Sequence, residues 1–195
     1  FSGVCQEHSF EFDWPLEFTA GGCVIPISQP RLWWPKGYGE ANLYTLTARL
    51  YRGETLLAER QDLVGLRKLE LMTSPAAGAL EEREALPVSP ARWDRDPDPD
   101  HHFILQVNGV PIMVKGTNWV PLDAFHSRDA ARLPQALELV EQSGCNMIRC
   151  WGGNVYESDA FFDFCDAQGI LVWQDLAFAC CAYPLDAEFR REVEI

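Results

Sequence analysis

The second half of the chain alternates apolar, strand-like runs with amphipathic helical ones, and that alternation leaves few folds open. Phe103–Val107 and Val110–Lys115 flank Asn108-Gly109, a hairpin signal, and Gly116-Thr-Asn-Trp-Val-Pro follows the second run. A helix is predicted over Ala130–Ser143. Leu133, Leu137 and Val140 share its apolar side, Pro134 is tolerable only in its first turn, and Gly144 stands where a helix-ending glycine belongs. Cys145–Trp151 reads as a short buried strand ending at Gly152-Gly153. The next helix has Ser158 as its N-cap, Phe161, Phe162, Phe164 and Cys165 inside it, and Gly169 after it. Ile170–Asp175 is a further buried strand, and Asp186 is placed to cap a last helix carrying Phe189 and Val193. Such a series makes a parallel sheet. A closed (β/α)8 barrel takes ~250 residues, whereas 195 − 102 = 93 follow His102. The expectation is the first three βα units of a TIM barrel, left incomplete, in a chain that is a fragment.

Residues 1–75 are different in kind, with strand signals and almost no helical period. In Ala41–Tyr51, Asn42, Tyr44, Leu46, Ala48 and Leu50 form the more apolar face; Arg52-Gly53 turns the chain and Thr55–Leu63 returns as hairpin partner. Trp33 and Trp34 lie in a loop punctuated by Pro35, Gly37 and Gly39, where core or interdomain packing outweighs sugar stacking. The predicted organisation is a β-sandwich over 1–75, a linker over 76–102 and the barrel portion over 103–195. The linker's aspartates, Asp94 to Asp100, alternate as in a calcium loop. Pro99 falls where the turn glycine belongs and Leu105 where the bidentate Glu belongs, so no metal site is expected there; His101-His102 lacks a third ligand.

Charge and cysteine usage narrow the function classes. The balance is 16 − 29 = −13, which argues against nucleic acid as the main partner. No apolar run approaches the ~18 residues of a membrane span, and Phe1–Cys5 lacks a signal-peptide layout, so a cytoplasmic location is expected. The seven cysteines have no metal-finger spacing, and most are expected to be buried small hydrophobes in a reducing compartment.

In a parallel barrel, chemistry gathers at the carboxyl ends of the strands. The candidates there are Asn118, Trp119 and Asp123, then Arg149 and Trp151, then Asp175. An arginine ending an apolar strand is costly unless paired, so Arg149 is expected to face a carboxylate, either in a site or in a structural ion pair. Trp119 and Trp151 offer faces for a pyranose ring or simply pack. Asp123 and Asp175 are the strand-end carboxylates, and glycoside hydrolysis needs two such groups, although an Asp in a βα loop is as often a helix cap.

Those residues sit in blocks that resemble the β-mannosidases of glycoside hydrolase family 2: Gly116-Thr-Asn-Trp-Val-Pro-Leu-Asp-Ala-Phe125, Asn146-Met-Ile-Arg-Cys-Trp-Gly-Gly153 with Val155-Tyr-Glu-Ser-Asp159, and Gly169-Ile-Leu-Val-Trp-Gln-Asp175 followed by Ala179-Cys-Cys-Ala-Tyr-Pro184. Leu32-Trp-Trp-Pro35, Asn42-Leu-Tyr44 and Val64-Gly-Leu-Arg67 resemble the immunoglobulin-like sandwich that precedes the barrel in that family. Asn154 stands where many such enzymes show a third glycine. The resemblance implies a retaining hydrolase that removes terminal non-reducing β-D-mannose from β-mannoside oligosaccharides, with no cofactor. It places the acid/base, a Glu after an Asn, and the nucleophile, another Glu, beyond Ile195; no Asn-Glu dipeptide occurs in the sequence. It makes Arg149 similar to the arginine that hydrogen-bonds the nucleophile and Trp151 similar to a wall of the −1 subsite. Asn118, Trp119 and Asp175 carry over by strand-end position. The alternatives are a β-galactosidase or β-glucuronidase of the same family, or a non-catalytic carbohydrate-binding module.

Overall fold

A computed structural model describes residues 1–17, 21–73, 103–184 and 186–193. The linker expected over 76–102, with Asp94–Asp100 and His101-His102, lies outside them. Contacts group the chain into two units, 1–66 with 114–195, and 67–113. The described part is rich in β-structure with some helix.

The first unit opens with an antiparallel sheet of β1 (Ser2–Cys5), β2 (His8–Glu11), β3 (Tyr44–Arg52) and β4 (Thr55–Val64), in the order β2-β1-β3-β4. The hairpin expected around Gly53 forms, with a register shift at Leu50/Tyr51. The apolar face is only partly covered: Tyr44 is buried, Leu46 and Ala48 are half-buried, and Leu50 is exposed. Thr47, on the opposite face, is buried as well, so packing does not follow one face alone. Tyr44 is held by its hydroxyl, which accepts the Arg31 N–H at 2.9 Å and bonds His8 Nδ1 at 3.0 Å.

The second unit holds a small antiparallel sheet of β5 (Leu69–Thr73), β6 (Phe103–Val107) and β7 (Val110–Pro111), in that order. Asn108 and Gly109 carry φ of 52° and 80°, the left-handed pair that the Asn-Gly signal called for. The apolar run after the turn does not continue as one strand. Val110–Pro111 completes the hairpin, and a new strand begins at Gly116.

That strand, β8 (Gly116–Trp119), belongs to the first unit with β9 (Met147–Cys150) and β10 (Leu171–Gln174), all parallel in the order β10-β9-β8. The parallel sheet is thus present as expected, but its first strand is Gly116–Trp119 rather than Val110–Lys115. Asn118 and Trp119 therefore lie on the strand instead of after it. Helix α1 (Asp129–Ser143) connects β8 to β9, α2 (Asp159–Gln168) connects β9 to β10, and α3 (Ala187–Val193) follows. The Asp186 cap is made, its Oδ1 accepting the Phe189 N–H at 2.8 Å. Ser158 takes the extended N-cap backbone but makes no side-chain cap bond. Pro134 is the sixth residue of α1, one residue deeper than the expected start at Ala130 places it and beyond the first turn.

The core between helices and parallel sheet joins Leu133, Leu137 and Val140 of α1, Phe161 and Cys165 of α2, and Trp119, Ile148, Cys150 and Ile170 of the sheet side. Burying each large apolar side chain contributes about 1.5–3 kcal/mol relative to exposure. A second contact fastens the antiparallel part to the helix ends. Trp33, fully buried, donates its indole N–H to Asp166 O at 2.7 Å; Lys36 donates its backbone N–H to Gly169 O at 2.7 Å and its ammonium to Glu141 O at 2.8 Å. One carbonyl in the last turn of each helix, Glu141 of α1 and Asp166 of α2, thereby gains a donor from outside the helix. Gly169 is required there twice over: φ is 70°, and a Cβ would lie 2.9 Å from Trp34 O and Lys36 N. Packing is thus the role of Trp33, in agreement with the sequence.

All seven cysteines are unpaired, but only Cys5, Cys150 and Cys165 are buried. Cys23 and Cys145 are intermediate and Cys180 and Cys181 exposed. The expectation that most would be buried is corrected: the exposed pair sits in a loop beyond the strand end, where no packing face demands a small hydrophobe.

Candidate functional site

Side chains of a strand alternate between faces, and the parallel register decides which of them meet. Asn118, Arg149 and Trp173 are register partners across β8, β9 and β10, so they share one face of the sheet. Asp175, two residues beyond Trp173, follows on the same side. Ile148 and Cys150 alternate with Arg149 and join the helix-facing core.

Arg149 and Asp175 form a fork-on-fork pair, Nε to Oδ1 at 3.2 Å and Nη2 to Oδ2 at 2.7 Å. Nη1 reaches Asn118 Oδ1 at 3.3 Å, so one guanidinium bridges three neighbouring strand ends. Asp175 Oδ2 also accepts the Gly152 N–H at 3.2 Å, which draws the loop after β9 toward the pair. These contacts engage three of the five N–H groups of a guanidinium. The Arg149 side chain keeps 44% of its exposure, so donors remain for a further carboxylate or hydroxyl.

Of the two roles left open for Trp119 by the sequence, ring platform or packing, it takes packing. Its place on the strand alternates with Asn118, so it turns to the helix side, where it is 5% exposed and lies 5.1 Å from the Phe161 ring. Its indole N–H donates to Glu157 Oε1 at 2.9 Å. Trp151 is half-buried and donates its backbone N–H to Trp119 O at 3.1 Å. Its indole lies directly over Gly153, where any Cβ would overlap the ring. Asp123 is held apart from Asp175 in its own ion pair, Oδ2 to Arg132 Nη2 at 2.8 Å, while its Oδ1 accepts the Phe125 N–H at 3.0 Å. Each strand-end carboxylate therefore has its own arginine.

The thiols behind the site are electrostatically quiet. Burial, with the nearby carboxylates Glu157 and Asp175, pushes the Cys150 thiol up to about 11. Burial, with Cys150 and Asp166, pushes Cys165 up to about 12. Neither supplies a thiolate nucleophile near neutrality. Among the described residues, no three His, Cys, Asp or Glu side chains are grouped to hold a metal ion.

The sequence blocks include Asn154, Tyr156 and Glu157, but sequence reasoning assigned none of them a place in the site. Glu157 Oε1 also accepts from Asn154 Nδ2 at 3.0 Å, and the Tyr156 hydroxyl accepts the Ala177 N–H at 3.3 Å. The available signal was Trp119 itself, since a buried indole N–H requires an acceptor.

Residues 5–67 match the family model described as Glycosyl hydrolases family 2. The chain is 35% identical over 162 residues to the β-mannosidase of Bos taurus, across 83% of this chain and 16% of that protein. It is 35% identical over 172 residues to β-mannosidase B of Thermothelomyces thermophilus, across 87% of this chain and 18% of that one. Among solved structures it is similar to the β-D-mannosidase of Dictyoglomus thermophilum, with a TM-score of 0.68 and 35% identity over 86% of this chain and 18% of that one. The chain thus spans less than a fifth of the length of these relatives. A match to the family 2 model in the antiparallel part is thus joined by a likeness to β-mannosidases, in both sequence and structure, that reaches across the parallel strands.

Proposed function

We propose that the chain is part of a retaining β-mannosidase, an enzyme that removes terminal non-reducing β-D-mannose from β-mannosides. In this reading the antiparallel sheet belongs to an immunoglobulin-like sandwich, and β8, β9 and β10 with their helices are the first three βα units of a (β/α)8 barrel. The observation that carries the reading is Arg149, a cation fixed by Asp175 and Asn118 at the carboxyl ends of adjacent parallel strands, the end at which such barrels keep their chemistry. The relatives named β-mannosidase support the choice of sugar.

Retention requires two carboxyl groups about 5–5.5 Å apart, one acid/base and one nucleophile. Asp123 and Asp175 are each committed to an arginine, and the sequence contains no Asn-Glu dipeptide. By the family resemblance, whose acid/base is a Glu after an Asn, both catalytic carboxylates are assigned to residues outside this chain, and the 195-residue chain alone is expected not to hydrolyse substrate. Arg149 contributes by orienting: its remaining N–H groups hold the nucleophilic carboxylate ionised and aimed at the anomeric carbon. Trp151 supplies an apolar wall for the sugar ring.

The test is hydrolysis of an aryl β-D-mannoside by the protein expressed from its complete reading frame, with the product anomer followed by proton NMR. β-Mannose is the expected first product. Preferential cleavage of the β-galactoside or β-glucuronide, or α-mannose as first product, would overturn the assignment.

A further inference from the structure

Glu157 lies in the loop between β9 and α2, and a single oxygen of its carboxylate, Oε1, accepts two hydrogen bonds. One comes from Trp119 Nε1 at 2.9 Å and the other from Asn154 Nδ2 at 3.0 Å. The first donor is immobile: Trp119 is 5% exposed and packed on Phe161 within the core. The second belongs to the loop. Asn154 is 9% exposed; its N–H donates to Trp151 O at 3.1 Å and its Oδ1 accepts the Val155 N–H at 2.8 Å. Those bonds close the turn Trp151–Asn154 on itself. On its other side the same turn is tied to the Arg149–Asp175 pair through the Gly152 N–H. The loop that carries Trp151 is therefore fastened at one end to the core and at the other to the guanidinium site.

From this arrangement we infer that Glu157 is a positioning residue. It clamps the loop to the core through Trp119 and Asn154, and so sets the place of the Trp151 ring over Gly153. The inference rests on the reading of Trp151 as a sugar-facing wall. What the clamp requires is an acceptor oxygen with two lone pairs, and an amide oxygen offers the same. Glu157→Gln preserves the clamp. Glu157→Leu removes it at similar size and leaves the Trp119 indole N–H buried without a partner, a costly state. Asn154→Ala cuts the loop side, together with the Oδ1 bond to the Val155 N–H, and leaves the Trp119 bond intact.

The experiment compares wild type, E157Q, E157L and N154A, each expressed from the complete reading frame. Hydrogen exchange is read over residues 151–157, and kcat/KM on an aryl β-mannoside is normalised to titrated active sites. E157L is expected to speed exchange in that segment and to lower kcat/KM by roughly 10- to 100-fold, the scale of an ångström-sized misplacement. N154A should move both readouts the same way but less, and E157Q should stay within about three-fold of wild type, since positioning by an acceptor alone survives the swap. Unchanged exchange in E157L and N154A would overturn the clamp. Faster exchange with unchanged kcat/KM per active site would reduce Glu157 to a structural residue and overturn the positioning role. If wild type cleaves no β-mannoside, the functional reading fails instead, and exchange alone still decides whether Glu157 holds the loop.

Discussion

Arg149 does what a lysine in its place could not. Its planar fork meets both oxygens of Asp175 while a third N–H reaches Asn118, whereas an ammonium is a point donor that must choose among them. Arg149→Lys should therefore keep the charge but lose the bridge across the strands. In the protein from the complete reading frame, kcat/KM on aryl β-mannoside should fall by roughly 100-fold with the fold retained; full activity in R149K would show that the geometry of the fork is irrelevant. The buried thiols give a second prediction. An unfolded cysteine releases its proton near 9.0, whereas Cys150 and Cys165 hold theirs to about 11 and about 12. Between those values the unfolded chain binds fewer protons than the folded one, so stability is intact below the unfolded pKa and declines as pH rises through the folded values. The midpoint of thermal unfolding should drop from about pH 9 upward, and Cys165→Ala, although less stable at every pH, should show a shallower alkaline slope. Much of this was visible in the sequence, because an arginine at the end of an apolar strand demands a carboxylate and Asp175 was among the few available. The Glu157 clamp was not, since its donors Trp119 and Asn154 are 38 and 3 positions away and meet only once the βα unit has folded.

At the scale of elements, the helices were the most legible part. Leu133, Leu137 and Val140 mark the buried side of α1, and Gly144 and Gly169 end the two longer helices in left-handed conformation, because each signal is local. The start of α1 was less legible. The 3-10 turn His126–Arg128 leads straight into Asp129, so the helix gains no room and Pro134 is left in its second turn. There it withholds the bond that residue 134 would give to the Ala130 carbonyl. Its side chain is exposed, so no packing offsets the loss. Pro134→Ala should raise stability by about 1–3 kcal/mol, measured by denaturant unfolding; an unchanged or lower midpoint would mean that the proline restrains the unfolded chain more than it disturbs the helix. The boundary of β8 was hidden for another reason. Val110–Val114 is more apolar than Gly116–Trp119, yet pairing with β9 selects the latter, and periodicity cannot see a partner 31 residues away.

For the molecule as a whole, the parallel sheet is the part whose stability depends most on what surrounds it. Parallel strands are normally covered on both faces, yet here one face packs on α1 and α2 while Trp173, on the Arg149 side, remains 46% exposed. Among the described residues, β8 and β10 are each paired on one side only. The antiparallel strands need less help, since β3 and β4 run side by side for most of their length and are closed by a local turn. The 195-residue chain expressed alone should therefore open unevenly. Amide exchange should be slowest in β3 and β4 and fast in β8, β9 and β10, including the amides of Trp151 and Asp175 that tie the strand ends together. In the protein from the complete reading frame, residues 147–150 and 171–174 should instead exchange among the slowest, with the Arg149 site held in place. Equal protection of those strands in both forms would show that the core of Leu133, Leu137, Ile148 and Phe161 sustains the parallel sheet unaided.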